Sequence, residues 1–247
     1  NNPSKYLVMN GVNQWGQKNI LQGPVEFAYT EVWPPNDTYK ALKDIIDENY
    51  LLSEGKATVL AAYMNYAKNS SEGVFNTPAV LLANAVIFAS GGAHLELGEH
   101  MLGSEYFPNN NLKIPDELSI ALISYYDFLV AYQNLLRDGG EFTNEQIQPV
   151  NNSLNIEIWP SAPGRVASMS KKINNRQIFH LFNFSGNQSL NWRDDAGFLN
   201  KPETFFNNKL EFQTDRVVKK IWMASPDIKF GSSIELGFLQ SERQVVF

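Results

Sequence analysis

Residues 25 to 33, VEFAYTEVW, carry two carboxylates, Glu26 and Glu31, in a run of strand-forming residues that closes on Trp33 and two prolines. Two-residue alternation sets Val25, Phe27, Tyr29, Glu31 and Trp33 on one face and Glu26, Ala28, Thr30 and Val32 on the other. Glu31 is therefore flanked on its own face by rings. Such surroundings desolvate a carboxyl group and raise its pKa, so that it keeps its proton near neutral pH and can hand it to a leaving oxygen. That is the chemistry of a glycosidase general acid. The plainer alternative is a strand-end Glu paired with a Lys or Arg. Glu26, at the start of the strand and on the other face, reads as structural.

The elements that would hold Glu31 alternate along the first part of the chain. Strands are predicted over KYLVMNGVN (5–13), VEFAYTEVW (25–33), ATVLAAYMNYA (57–67) and AVIFASGG (85–92), and helices over 36–55 and 76–85. Apolar strands separated by helices predict parallel strands buried on both faces, an α/β arrangement. The longest helix signal covers 114–140. After Gly140 the pattern changes to short alternating strands between turn signals: NIEIWP, GRVASMSKK, RQIFHLFNFSG, NWRDD, KLEFQT, RVVKKIWMASP and SSIELGFL. These predict an antiparallel β-sandwich, with a boundary near residue 148 and domains over 1–148 and 149–247.

In parallel α/β folds ligands meet the carboxyl ends of the strands. That rule gathers Asn10 and Asn13 from the first strand, Tyr29, Glu31 and Trp33 from the second, and Tyr63, Asn65 and Tyr66 from the third. The loop at 90–103, with His94 and Glu96, follows the fourth. Glu31 is the catalytic candidate. Asn10, Tyr29, Trp33, Tyr63, Asn65, His94 and Glu96 are the ligand-binding candidates, with packing as the alternative for the rings and a satisfied rim histidine as the alternative for His94. Glu99 and His100 read as loop structure.

Composition narrows the ligand. Residues 1–150 hold 8 Lys and Arg against 17 Asp and Glu, a balance of −9, and residues 151–247 hold 12 against 9, or +3. An acidic first part without a basic patch argues against nucleic acid. Abundant Tyr, Trp, Phe and Asn suit a neutral polyhydroxylated ligand. With no Cys and three His, disulfides are excluded and no metal or cofactor is expected. No apolar run reaches the ~18 residues of a membrane span. The amino terminus has neither initiator Met nor signal sequence, so the chain reads as the inner or carboxyl-terminal part of a longer product, and the lack of Cys suits a secreted or cell-surface bacterial protein.

FNTPAVLLANAVIFASGGAHLELGEHMLGSEYFPNNNL, followed by ISYYDFLVAYQNLLRDGGEF, resembles the closing segment of the catalytic barrel of glycoside hydrolase family 66, the bacterial dextranases and cycloisomaltooligosaccharide glucanotransferases. The likeness runs from Tyr6 through LNWRDD at 190–195, and only loosely through the last 50 residues. It implies a (β/α)8 TIM barrel followed by a β-sandwich, and retaining cleavage of α-1,6-linked glucan such as dextran or isomaltooligosaccharides. It also implies an Asp nucleophile and a Glu acid/base, and Glu31 with Trp33 matches the E-x-W-like context of the acid/base. The resemblance implies that the nucleophile Asp lies on an earlier barrel strand, upstream of this chain; here no Asp precedes Asp37, which lies in the loop after the Glu31 strand and cannot stand in for it. A whole barrel takes about 250 residues, and four strands in 150 make its second half, to be sheltered by the first half as a separate chain or preceding segment. The implied activity is endo-dextranase, with no activity expected of this chain alone. The alternatives are cyclising transglycosylation and a non-catalytic carbohydrate-binding fragment, the last suggested by Trp159, Trp192 and Trp222.

Overall fold

The computed structural model describes residues 5–95, 99–105, 111–151 and 154–247. The chain divides into two compact units, one of Asn1–Ile120 with Asn191–Leu199, the other of Ala121–Leu190 with Asn200–Phe247. Its architecture is mixed α/β. No helix among the described residues is long and apolar enough to cross a membrane.

The first unit contains α1 (Gln17–Leu21), β1 (Ala28–Glu31), α2 (Tyr39–Leu52), β2 (Thr58–Ala61), β3 (Gly73–Val74), α3 (Thr77–Ala89), β4 (Gly92–His94), α4 (Glu99–Leu102) and β5 (Leu112–Lys113). Strands β1, β2 and β4 form one parallel sheet in that order, Tyr29 facing Val59 and Val59 facing Ala93. Alternation is sharp along β1 and beyond: Ala28, Thr30 and Val32 are fully buried, whereas Tyr29, Glu31 and Trp33 are only partly so. Helix α2 starts at Thr38, whose side chain accepts from the Ala41 N–H, and buries Leu42, Ile45, Ile46 and Asn49 at helical spacing against the sheet.

Two predicted strands change. Residues 5–13 pair with β1 through a single bridge, Asn10 to Tyr29, flanked by the backbone bonds Glu26 N–H to Leu7 O and Gly11 N–H to Tyr29 O. The stretch AVIF (85–88) continues α3, and the fourth strand begins only at Gly92. Val86, Ile87, Phe88 and Ala89 are buried all round the helix, and a uniformly apolar segment has no period by which to tell helix from strand. Gly92 lets β4 nest between helices, because a Cβ there would stand 2.7 Å from Ile46 Cδ1 and 3.2 Å from Ile87 Cγ2.

A third correction concerns NWRDD, predicted as a strand of the second domain. Asn191–Leu199 belongs to the first unit, where Asn191 bridges Thr38 and Trp192 Nε1 donates to the Asn36 carbonyl at 2.7 Å. Trp192 is fully buried there, a core residue rather than a platform.

Helix α5 (Asp116–Ala131), within which the division between units falls, leads to α6 (Gln133–Leu136) and then to strands. One sheet of the second unit runs β10 (Arg176–Asn183), β9 (Val166–Ile173), β6 (Glu141–Thr143), all antiparallel, with β8 (Ile156–Ile158) parallel to β9. The other runs β14 (Leu239–Ser241), β15 (Gln244–Val246), β11 (Leu210–Gln213), β7 (Ile147–Pro149), antiparallel throughout. A further ladder pairs β12 (Ile221–Met223) with β13 (Ile234–Leu236). The β9–β10 hairpin turns in two residues, Asn174 taking the left-handed φ of 52° that such tight loops demand.

Candidate active site

The carboxyl end of β1 brings four of the expected residues together. Glu31 is partly exposed, and among the described residues Asn10 Nδ2 donates to its Oε1 at 2.7 Å and the Trp33 indole N–H to its Oε2 at 3.1 Å. Both donors are neutral side chains that can only donate through these atoms, so the carboxylate acts as acceptor twice and retains lone pairs for a further partner. Asn13, in the left-handed conformation (φ 49°), braces the loop: its Oδ1 accepts from Trp33 N–H at 3.2 Å and Asn36 Nδ2 at 2.8 Å, and its Nδ2 donates to Pro34 O at 3.1 Å.

The expected rings are present, and each turns a polar edge toward the carboxylate or its neighbours. Tyr63 packs on Trp33 with centroids 5.4 Å apart, and Tyr66 meets Trp33 edge-on at 5.2 Å. Burial, with the charge of Glu31 next in effect, holds the Tyr29 and Tyr63 hydroxyls above their ordinary pKa. The Tyr63 hydroxyl feels Glu31, yet no hydrogen bond of full geometry reaches it from the described residues. At 1% exposure Tyr63 forms the floor beneath Trp33 and does not line an open subsite.

Two further candidates are corrected. Asn65 is completely buried in the left-handed conformation (φ 51°); its Nδ2 donates to the Asp194 carbonyl at 2.6 Å and its Oδ1 accepts from Asn76 N–H at 2.8 Å. Its amide is spent inside the protein and cannot reach a ligand. His94 is also buried, Nε2 donating to Ala62 O at 2.8 Å and Nδ1 lying 2.6 Å from the Asn84 side-chain amide oxygen, so both ring nitrogens have partners inside the protein. Glu96 lies outside the described residues.

Two residues escaped the sequence reading. Glu105 reaches the same aromatic cluster, Oε1 accepting from the Tyr66 hydroxyl and Oε2 from the Ser104 hydroxyl, both at 3.2 Å. Arg193 lies buried beneath the rings, its guanidinium 5.2 Å from the Trp33 ring and 4.5 Å from the Trp192 ring. A signal for it was the run Trp192-Arg193-Asp194-Asp195, too polar for the strand it was assigned to.

A carboxyl group at the end of a parallel strand, open to solvent and oriented by an indole and an amide, can exchange a proton with an oxygen brought against it. The sequence profile of glycosyl hydrolase family 66 matches residues 1–247. The chain belongs to glycosyl hydrolase family 66. Relatives within family 66 include a cycloisomaltooligosaccharide glucanotransferase of Niallia circulans, 33% identical over 171 residues, which cover 67% of this chain and 17% of that protein. A dextranase of Streptococcus salivarius is 22% identical over 270 residues, covering 90% of this chain and 33% of the dextranase. The chain thus spans a third or less of the length of these curated relatives. In fold it resembles the crystal structure of a Paenibacillus sp. cycloisomaltooligosaccharide glucanotransferase complexed with cycloisomaltoheptaose, with a TM-score of 0.87 at 21% identity over 96% of this chain and 53% of that one.

Proposed function

We propose that this chain supplies Glu31 as the general acid/base of a retaining, endo-acting glycosidase that cleaves the α-1,6-glucosidic linkages of dextran, with the nucleophilic Asp on upstream polypeptide. The observation that carries the reading is the position of Glu31: last residue of a parallel strand, partly open, on the face it shares with Tyr29 and Trp33. In this reading residues 1–148 form the second half of a (β/α)8 barrel, supported by the parallel strands β1, β2 and β4 lying side by side in sequence order with helices between them, and 149–247 form a β-sandwich, supported by two four-stranded sheets to which that stretch supplies every strand but β6 and most of β7. Dextran is a polymer met outside the cell, in keeping with a secreted or surface location.

A retaining glycosidase sets its two carboxyl groups about 5–5.5 Å apart. In the first step Glu31 gives its proton to the glycosidic oxygen as the upstream Asp attacks the anomeric carbon, and a glycosyl ester forms while the shortened glucan leaves. In the second step Glu31, now ionised, takes a proton from water as the water attacks the ester. Asn10 and Trp33 hold the ionised carboxylate between the steps, and the Trp33 and Tyr29 rings offer faces to the sugars. A second reading, cyclising transfer, draws support from the 33% identity to the glucanotransferase. The two differ in whether water or the glucan's own distal hydroxyl attacks the ester.

The test combines this polypeptide with its upstream half, or uses the full-length protein, and incubates it with dextran. Glu31→Gln should abolish cleavage while leaving isomaltooligosaccharide binding intact; unchanged turnover would remove Glu31 from the role. New reducing ends identify hydrolysis, and products without reducing ends identify cyclisation. Retention of isomaltooligosaccharides with no cleavage by the unmutated full-length protein would support the carbohydrate-binding fragment instead.

A further inference from the structure

We propose that Arg193 is the positioning residue for the acid/base carboxyl group, acting on Glu31 through Trp33; the inference rests on the acid/base reading of Glu31. Arg193 is 3% exposed. Its Nη2 donates to the Val32 carbonyl at 2.7 Å and its Nη1 to the Tyr63 carbonyl at 3.1 Å. Val32 lies between Glu31 and Trp33, immediately after β1, and Tyr63 lies two residues after β2. One planar fork thereby fixes the spacing between the carboxyl ends of two adjacent parallel strands. The chain returns the grip, since the Arg193 carbonyl accepts from the Asn65 N–H at 2.8 Å.

The same guanidinium stacks beneath the rings, 5.2 Å from Trp33, 5.8 Å from Tyr66 and 4.5 Å from Trp192. Trp33 is held from below by the cation, at its backbone N–H by Asn13, and through its neighbour Val32 by the fork. Its indole N–H is in turn one of the two groups that orient Glu31. An arginine buried for stability would be expected to close on a carboxylate, whereas here the ion pair with Asp195 is stretched to 3.9 Å and the donors are spent on carbonyls at the rim. Lysine cannot replace it, because a point charge does not span two carbonyls in one plane while stacking on a ring. A displacement of about 1 Å in a reacting group can cost roughly 100-fold in rate, so the hold on Trp33 translates into rate.

The experiment exploits leaving-group chemistry. Dextran needs its glycosidic oxygen protonated, whereas p-nitrophenyl isomaltoside releases a phenolate that leaves unprotonated as the nucleophilic Asp forms the glycosyl ester. In the full-length enzyme, dextran turnover and the first-turnover burst of phenolate are measured for Glu31→Gln, Arg193→Met, Arg193→Lys and Trp33→Phe, with melting temperature alongside. Arg193→Met and Arg193→Lys should lose about 10- to 100-fold on dextran, with the burst rate within about threefold of the parent. Trp33→Phe, which replaces the indole with a smaller ring and deletes its N–H, should lose dextran turnover as well; because Trp33 also faces the sugars, its burst rate is not held to that limit. In the Arg193 variants, parallel loss on both substrates, or undiminished dextran turnover, overturns the proposal. If Arg193→Met does not fold, Arg193→Lys decides. If Glu31→Gln itself lacks the selective pattern, the acid/base reading fails. If Glu31→Gln shows it and the Arg193 variants do not, only the positioning role falls.

Discussion

Glu31 and His94 end the two strands that flank β2, both carry side chains able to move protons, and the rule that ligands meet strand ends selects them equally. The structure treats them in opposite ways. Glu31 is partly open and bonded to two side chains, Asn10 and Trp33, with lone pairs to spare. His94 has two ring nitrogens, and both are engaged inside the protein, one with the Ala62 carbonyl and one with the Asn84 amide. A strand end is a place where chemistry can happen. What separates the two is unused hydrogen-bonding capacity in reach of solvent.

The comparison can be broken by exchanging the consequences. Glu31→Gln should cut dextran turnover by about 10²–10⁴ and lower the melting temperature by no more than about 2 °C, since one of its two donors, Asn10 or Trp33, then faces an NH2 group in place of an oxygen. His94→Ala should do the reverse. It takes one partner from the Asn84 amide and one from the Ala62 carbonyl and opens a cavity, at a cost of about 2–4 kcal/mol in unfolding free energy, while kcat and KM of the folded enzyme stay put. Urea denaturation and kinetics on the same preparations check both, and a His94 variant that folds normally but turns over slowly would erase the distinction.

A second contrast is sharpened by alkali. The Tyr63 hydroxyl, held above its ordinary value near 10 by burial and then by Glu31, sits under the open carboxylate, and Tyr39, raised by burial and by Asp194, sits on α2. With raised folded values these groups have no effect below pH 10. Above it the unfolded chain releases protons that the folded chain keeps, so stability falls as pH rises, by about 1.4 kcal/mol per pH unit for each tyrosine. Tyr63→Phe should flatten that limb by one tyrosine's share. Near pH 7 a smaller effect is expected from Asn10→Ala, which removes one neutral hydrogen bond from Glu31 and should slow dextran cleavage by about three- to tenfold with little change in melting temperature.

Legibility followed the range of the interactions. The alternation of β1 was plain because one face is buried and the other open, and that pattern alone placed Glu31, Trp33 and Tyr29 together. The α3–β4 boundary was hidden because AVIF is apolar on every side and fits either period. Asn65 passed for a rim amide because nothing local showed that Asp194, 129 residues away, would cover it. Arg193 left only the polarity of its run as a signal, for a related reason. Its partners are backbone carbonyls 130 and 161 residues distant, and carbonyls leave no mark on residue type.

Asp195 offers the finest test of how Arg193 is held, and its sign is unexpected. Burial pushes the Asp195 carboxyl above its ordinary pKa, more than the attraction of Arg193 at 3.9 Å pulls it down, and Asp37 and Asp194 add repulsion. A carboxyl group with a raised folded value favours the fold when protonated, and that advantage fades as pH rises from the ordinary value of 3.8 through the folded one. Raising the pH across that range therefore takes away the stability that the protonated Asp195 gives. Asp195→Asn should leave the melting temperature unchanged or raise it by about 1–2 °C at pH 7, and the gap to the parent should close as the pH is lowered toward 4. The carbonyl fork would then hold Arg193 without its ion pair, and dextran turnover should be unaffected. Differential scanning calorimetry at both pH values reads the outcome: a loss of several degrees at pH 7 would mean that the guanidinium depends on Asp195 after all, and that the two strand ends are tied through a charge pair.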